Sequence, residues 1–162
     1  DATLGAFWNV EGVELAHAGR KPNIMRMENL GVPTYNELVV AARQDDLDEA
    51  GGSRVRRFMQ ATARGYAMVK ADPAVGVDAL LGADKSLDRE VTTATVKATV
   101  PVFFPSDTDS PFGWQDPRAW ALYEKWMRAN NLLKPLVQGE RPPLTNEFLP
   151  GEGLEQGTSG LG

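Results

Sequence analysis

The sequence predicts an α/β fold that becomes helix-rich after residue 44. Three observations carry this reading. A short apolar run at residues 2–7 passes through Trp8, Asn9 and Glu11 into the helical spacing Val10, Val13, Leu15 and Ala16. Glu37 to Arg43, centred on Leu38-Val39-Val40-Ala41, has the strongest strand pattern in the chain. From Gln44 onward, apolar residues recur every three or four positions between cap and stop signals.

Residues 2–7 suit a buried strand, because they are apolar and bounded by polar residues. One or two helical turns follow, to Ala18, with Gly19 as the stop. Residues 23–27 predict a second short strand, 28–36 a loop with Gly31 and Pro33, and 37–43 the third strand. Gln44 to Gly52 is acidic and ends in Gly51-Gly52, which reads as a turn of helix and a loop. Ser53 is the predicted N-cap of a helix to Ala71, on which Val55, Phe58, Met59, Thr62, Tyr66 and Val69 share a face. Asp72-Pro73 opens a helix to about Leu81. Ser86 is expected to cap another, which Pro101 stops. Val102 to Trp114 is an aromatic loop, and Asp116-Pro117 caps a helix carrying Trp120, Tyr123, Trp126 and Met127 on one face. Residues 134–143 read as Pro-rich and extended, and Thr145 to Leu149 as a last helical turn. The glycine-rich tail from Gly151 to Gly162 is expected to be disordered.

With 162 residues, the chain is long enough for a core of its own. Its 42% apolar and 24% charged residues are ordinary for a globular protein, and no run reaches the roughly 20 apolar residues of a membrane span. The net charge of -5 argues against a nucleic-acid partner, which would select a basic stripe. Arg54, Arg56, Arg57 and Arg64 form the one basic cluster and read as a solvated helix face. Without cysteine there is no disulfide framework, thiol nucleophile or thiolate metal site. The chain opens at Asp1 directly into a strand-like run with no signal peptide, which suggests a piece of something longer.

Five ordered blocks carry a resemblance: Gly-Ala-Phe-Trp-Asn-Val-Glu-Gly-Val-Glu-Leu at 5–15, Leu-Gly-Val-Pro-Thr-Tyr-Asn-Glu-Leu-Val-Val at 30–40, Val-Arg-Arg-Phe-Met-Gln-Ala-Thr-Ala-Arg-Gly-Tyr at 55–66, Gly-Trp-Gln-Asp-Pro at 113–117, and Thr-Asn-Glu-Phe-Leu-Pro at 145–150. Together they resemble the NMT1/THI5-like family. That family comprises substrate-binding proteins of ABC importers, several for thiamine-pyrimidine precursors, and a fungal pyrimidine synthase. The resemblance implies the C-terminal part of a two-lobed, periplasmic-binding-protein-like fold of type II. Residues 1–36 would then end the second lobe, 37–43 would be the returning hinge strand, and 44–150 would complete the first lobe with helices. The strand would expose an edge, expected to pair with a missing N-terminal half or with another chain. The implied location is extracytoplasmic, periplasmic or lipid-anchored at the cell surface, beside an ABC transporter permease.

An aminopyrimidine wants a flat π surface and acceptors for its exocyclic N–H groups. Trp8 or Tyr35 offers the surface; Asn9, Glu11 or Glu37 offers acceptors. By resemblance, Trp8, Asn9 and Glu11 match a pocket-edge motif and Tyr35 a hinge-proximal aromatic. Competing roles are core packing for Trp8, a backbone or arginine contact for Glu37, and packing between helices for Trp114, which otherwise sits in a loop over a cleft mouth. His17, the single histidine, reads as solvated or capped and not as catalytic, and no metal site or cofactor is expected. Asp45, Asp46, Asp48 and Glu49 lack the spacing of a calcium loop. Met59, Tyr66, Trp120 and Trp126 read as core.

Three functions follow. The first is a solute-binding protein that closes on a small heterocycle without chemistry. The second is an enzyme like the synthase branch, whose histidine- and cysteine-bearing site with iron and a pyridoxal cofactor the absent cysteines disfavour. The third is a free-standing helical interaction module.

Overall fold

Aspartates set where most of the longer helices begin. The computed structural model describes residues 2–47, 49–104, 110–134 and 143–150. These residues hold α1 (Glu11–His17), α2 (Glu49–Ala71), α3 (Pro73–Ala83), α4 (Arg89–Phe103) and α5 (Pro117–Ala129), with 3₁₀ turns at Met27–Leu30 and Gln44–Asp46. The side chain of Asp72 accepts from the Ala74 N–H and that of Asp116 from the Arg118 N–H. Each is followed by a proline at the first helical position, where a missing N–H costs nothing. Both caps and the 11–17 helix agree with the sequence reading.

Several expectations need correction. No strand forms among the described residues, so the segments at 2–7, 23–27 and 37–43 are not the strands their composition predicted. A strand is held by a neighbour that takes its N–H and C=O groups. The described residues contribute no such ladder. Within 37–43, Leu38 adopts φ 63°, a left-handed conformation incompatible with strand, and its side chain is 78% exposed.

The second correction concerns α2, which starts at Glu49 and runs straight through Gly51 and Gly52, both buried. A Cβ on Gly52 would lie 3.1 Å from Phe148 Cε1. Gly52 therefore serves close packing, and neither glycine makes a loop. Ser53 consequently lies inside the helix, its Oγ accepting from Arg57 Nη1 at 2.9 Å.

Third, Ser86 does not cap α4. Its N–H and Oγ both donate to Asp84 Oδ1, at 2.9 and 2.7 Å, in an Asx turn. Asp88 takes over the cap, its Oδ1 accepting from the Val91 N–H at 2.9 Å, and that bond holds its carboxyl below the ordinary range. Pro101 lies within α4, which continues to Phe103 and closes with the Phe104 N–H on the Val100 carbonyl at 3.1 Å. A proline so near the end removes one backbone donor without unravelling the turns before it.

Fourth, Thr145 to Leu149 form a turn, with the Leu149 N–H donating to the Asn146 carbonyl at 3.1 Å, and not a helix. Most of the Pro-rich stretch and all of the glycine-rich tail lie outside the described residues.

The chain divides into two compact units, Asp1–Ile24 with Thr62–Phe112 and Met25–Ala61 with Gly113–Gly162. In the first, α4 packs against α3 and against α1. Val77 and Val96 are buried there, and Gly76 lets α3 come within contact of Val69. Tyr66, Phe103, Phe104 and Phe112 form an aromatic cluster with ring centroids 4.7 to 5.3 Å apart, and Lys70 Nζ lies 4.8 Å from the Phe104 ring. In the second unit Val32, Phe148 and Leu149 are buried. Arg56 there departs from the solvated face expected of the basic cluster: its guanidinium lies 5.1 Å from the Phe148 ring and 3.4 Å from Glu147. Met59, Tyr66, Trp120 and Trp126 are half-buried and not fully enclosed core.

Candidate functional site

The six candidate residues fall into two groups, three in each unit, and each group has its own geometry. Trp8, Asn9 and Glu11 occupy the turn into α1. The Phe7 carbonyl accepts from the N–H groups of Val10 and Gly12 at 3.1 and 3.3 Å, and the Phe7 N–H donates to Glu11 Oε2 at 2.7 Å. Glu11 thus closes the turn with one carboxylate oxygen, a local role that its spacing of four residues makes possible. A Cβ on Gly12 would lie 3.0 Å from Ile24 Cδ1, so Ile24 rests directly on the first turn of α1.

Asn9 reaches far in sequence. Its Nδ2 donates to Thr99 Oγ1 on α4 at 2.7 Å, across 90 residues, and Thr99 Oγ1 itself donates to the Thr95 carbonyl at 2.8 Å. Trp8 and Asn9 are both half-buried, which leaves them in reach of a ligand. His17 is exposed in the last turn of α1, as its sequence context suggested.

In the second unit, Tyr35 stacks on Tyr123 of α5 with centroids 4.5 Å apart and planes 14° from parallel. Tyr123 stacks in turn on Trp126 at 5.9 Å and 11°. Burial, the neighbouring Glu37 carboxylate and Tyr123 raise the Tyr35 pKa above its ordinary value of 10.0. Tyr35 is therefore a neutral phenol throughout the physiological range. Glu37 is exposed, and Trp114 is half-buried just ahead of Gln115.

Gln115 organises this corner. Its Oε1 accepts from Asn36 Nδ2 and from Trp120 Nε1, each at 2.8 Å. Its backbone is clamped by Asn146, whose Oδ1 accepts from the Gln115 N–H at 2.8 Å and whose Nδ2 donates to the Gln115 carbonyl at 2.9 Å. A shallow groove lined by Tyr35, Asn36, Ala119, Trp120 and Tyr123 encloses only about 10 Å³. A small-molecule site ordinarily needs about 300 Å³ or more, so this groove is a surface that a ligand could stack on and not a complete pocket. Asn36 Nδ2 is already committed to Gln115 Oε1, so the aromatic faces are the groove's main offering.

Thr99, Gln115 and Asn146 were not picked out by residue chemistry. Gln115 and Asn146 lie within two of the blocks that carry the family resemblance, which was the available signal. Thr99 has no local signal, because its role depends on a partner 90 positions away.

Residues 1–75 match the model of the family described as NMT1/THI5 like. The resemblance to that family thus holds over the stretch containing Trp8, Asn9, Glu11, Tyr35 and Glu37. The chain is also 27% identical over 144 residues to the formylaminopyrimidine-binding protein of Halalkalibacterium halodurans. That alignment takes in 86% of this chain and 43% of the relative, so the chain spans less than half the length of the curated relative it matches. No solved structure matches the chain. Among the described residues, no helix is long and apolar enough to cross a membrane.

Proposed function

We propose that this chain is part of the substrate-binding component of an ABC importer, taking up a small heterocycle of the thiamine-pyrimidine precursor kind without chemistry. The observation that carries the reading is the alignment over 144 residues with a protein named for formylaminopyrimidine binding. The turn into α1 is consistent with it, since Trp8 supplies a π surface and Asn9 a carboxamide in one half-buried corner. Glu11 stabilises that corner through Phe7, and its remaining oxygen suits an exocyclic amine. Tyr35, Glu37 and Trp114 are assigned to the same binding function.

The reading includes two lobes that close on the ligand by hinge motion, with residues 37–43 pairing with chain outside these 162 residues. It also includes an extracytoplasmic location and a permease as partner. The synthase-like alternative gains no support from a relative named as a binding protein.

The test is calorimetry and thermal shift on the protein expressed with its flanking sequence, against aminopyrimidines, thiamine, riboflavin and alkanesulfonates. The expected result is one-to-one binding of an aminopyrimidine, unchanged in mass after incubation. At a ligand concentration of about 100 Kd, stability should rise by about 2.7 kcal/mol. Turnover of the ligand, or no response across the panel, refutes the proposal.

A further inference from the structure

Asn9 can present either face of its carboxamide to a ligand, and the bonding around Thr99 decides which. Thr99 has one hydroxyl proton. The Thr95 carbonyl, 2.8 Å from Thr99 Oγ1, can only accept, so it takes that proton. What Thr99 then offers Asn9 is a lone pair, and only the NH2 end of the Asn9 amide can use it at 2.7 Å. This settles the amide orientation by elimination, without depending on telling nitrogen from oxygen. With Nδ2 committed, Oδ1 points the other way, and no described residue donates to it.

We infer that Thr99 is a positioning residue that holds Asn9 as an obligate acceptor, so that the site selects ligands presenting an N–H donor over isosteres presenting an oxygen. The inference rests on the binding function proposed above and names the feature of the heterocycle being read. An exocyclic amine donates to Asn9 Oδ1. An ether oxygen in its place faces an acceptor and leaves both groups unpaired, the situation from which sites that read hydrogen bonds draw their selectivity.

The experiment measures Kd by calorimetry for an aminopyrimidine and for the methoxypyrimidine in which the amine is replaced, using the protein with its flanking sequence. Wild type should prefer the amine. Thr99→Val keeps the side-chain shape but frees the amide to rotate, so the preference should fall by about five- to tenfold. Thr99→Ser restores the acceptor and should retain the wild-type ratio. Asn9→Ala should lose the preference in either background. A wild-type ratio in Thr99→Val, with aminopyrimidine binding intact, overturns the Thr99 assignment alone. A ratio that survives Asn9→Ala overturns it as well, by removing Asn9 from the contact. Failure of the wild type to bind any pyrimidine instead overturns the binding function and this inference with it. Because the readout is a ratio of two ligands, a general loss of stability leaves it unchanged.

Discussion

Tyr35 shows how much one side chain's surroundings can decide. Burial disfavours its phenolate, and the negative charges of the Glu37 carboxylate and of an ionised Tyr123 phenol add to that. Raised above 10.0 in the folded state, it contributes stability that is fully present below the unfolded value and is lost as pH rises through the folded one. Ultraviolet titration should show Tyr35 ionising above its ordinary value. In Glu37→Gln it should ionise earlier yet still above the ordinary value, because burial is the larger cause. Gly113 is constrained differently. It sits at φ 88°, and a Cβ there would lie 3.0 Å from Leu149 Cδ2. Gly113→Ala should cost about 1–3 kcal/mol in chemical denaturation, from backbone strain together with displacement of the buried Leu149. The aromatic and amide types of the candidate site were legible from the residues. Their bonding was not, since Gln115 and Thr99 gain their roles from contacts distant in sequence.

Among the elements, the helices stand on local chemistry. Removing the α5 cap with Asp116→Ala should lower stability by about 1 kcal/mol, whereas Asp116→Asn should largely preserve it. At α4 the two acceptor-bearing candidates can be separated by thermal melting: Asp88→Ala should lower the Tm more than Ser86→Ala, because Asp88 is the residue bonded to the helix N–H. The first turns of α2 depend on tertiary packing. Phe148 lies against Gly52 and under Arg56, so Phe148→Ala should cost about 3 kcal/mol or more, at the level of a buried aromatic. Gly52→Ala should also destabilise by forcing Phe148 aside. Sequence periodicity located α2, α3, α4 and α5 because the contacts that produce it lie three and four residues apart. It misplaced the start of α2 because glycine marks a close approach as readily as a break.

For the molecule as a whole, the exposed apolar segment is the informative feature. Leu38, Val39 and Val40 are 78, 46 and 54% exposed. Such a run is ordinarily covered. If it pairs with chain outside these residues, amide exchange across 37–43 should be slow in the protein carrying its flanking sequence, and Val39→Lys should speed it. Fast exchange in that protein would exclude the pairing. The sequence by itself determined where the main helices run, which aspartates and prolines open α3 and α5, and a family resemblance that its matched residues uphold. These features arise from interactions within a few residues or from ordered blocks of identity. Only the tertiary structure decided that Asn9 is tied to Thr99, that Gly51 and Gly52 belong to a helix, and that the apolar run at 37–43 is not a strand among the described residues. The reason is physical: a hydrogen bond across 90 residues, a side chain packed onto a glycine and a strand ladder each need a second partner whose position no local pattern encodes.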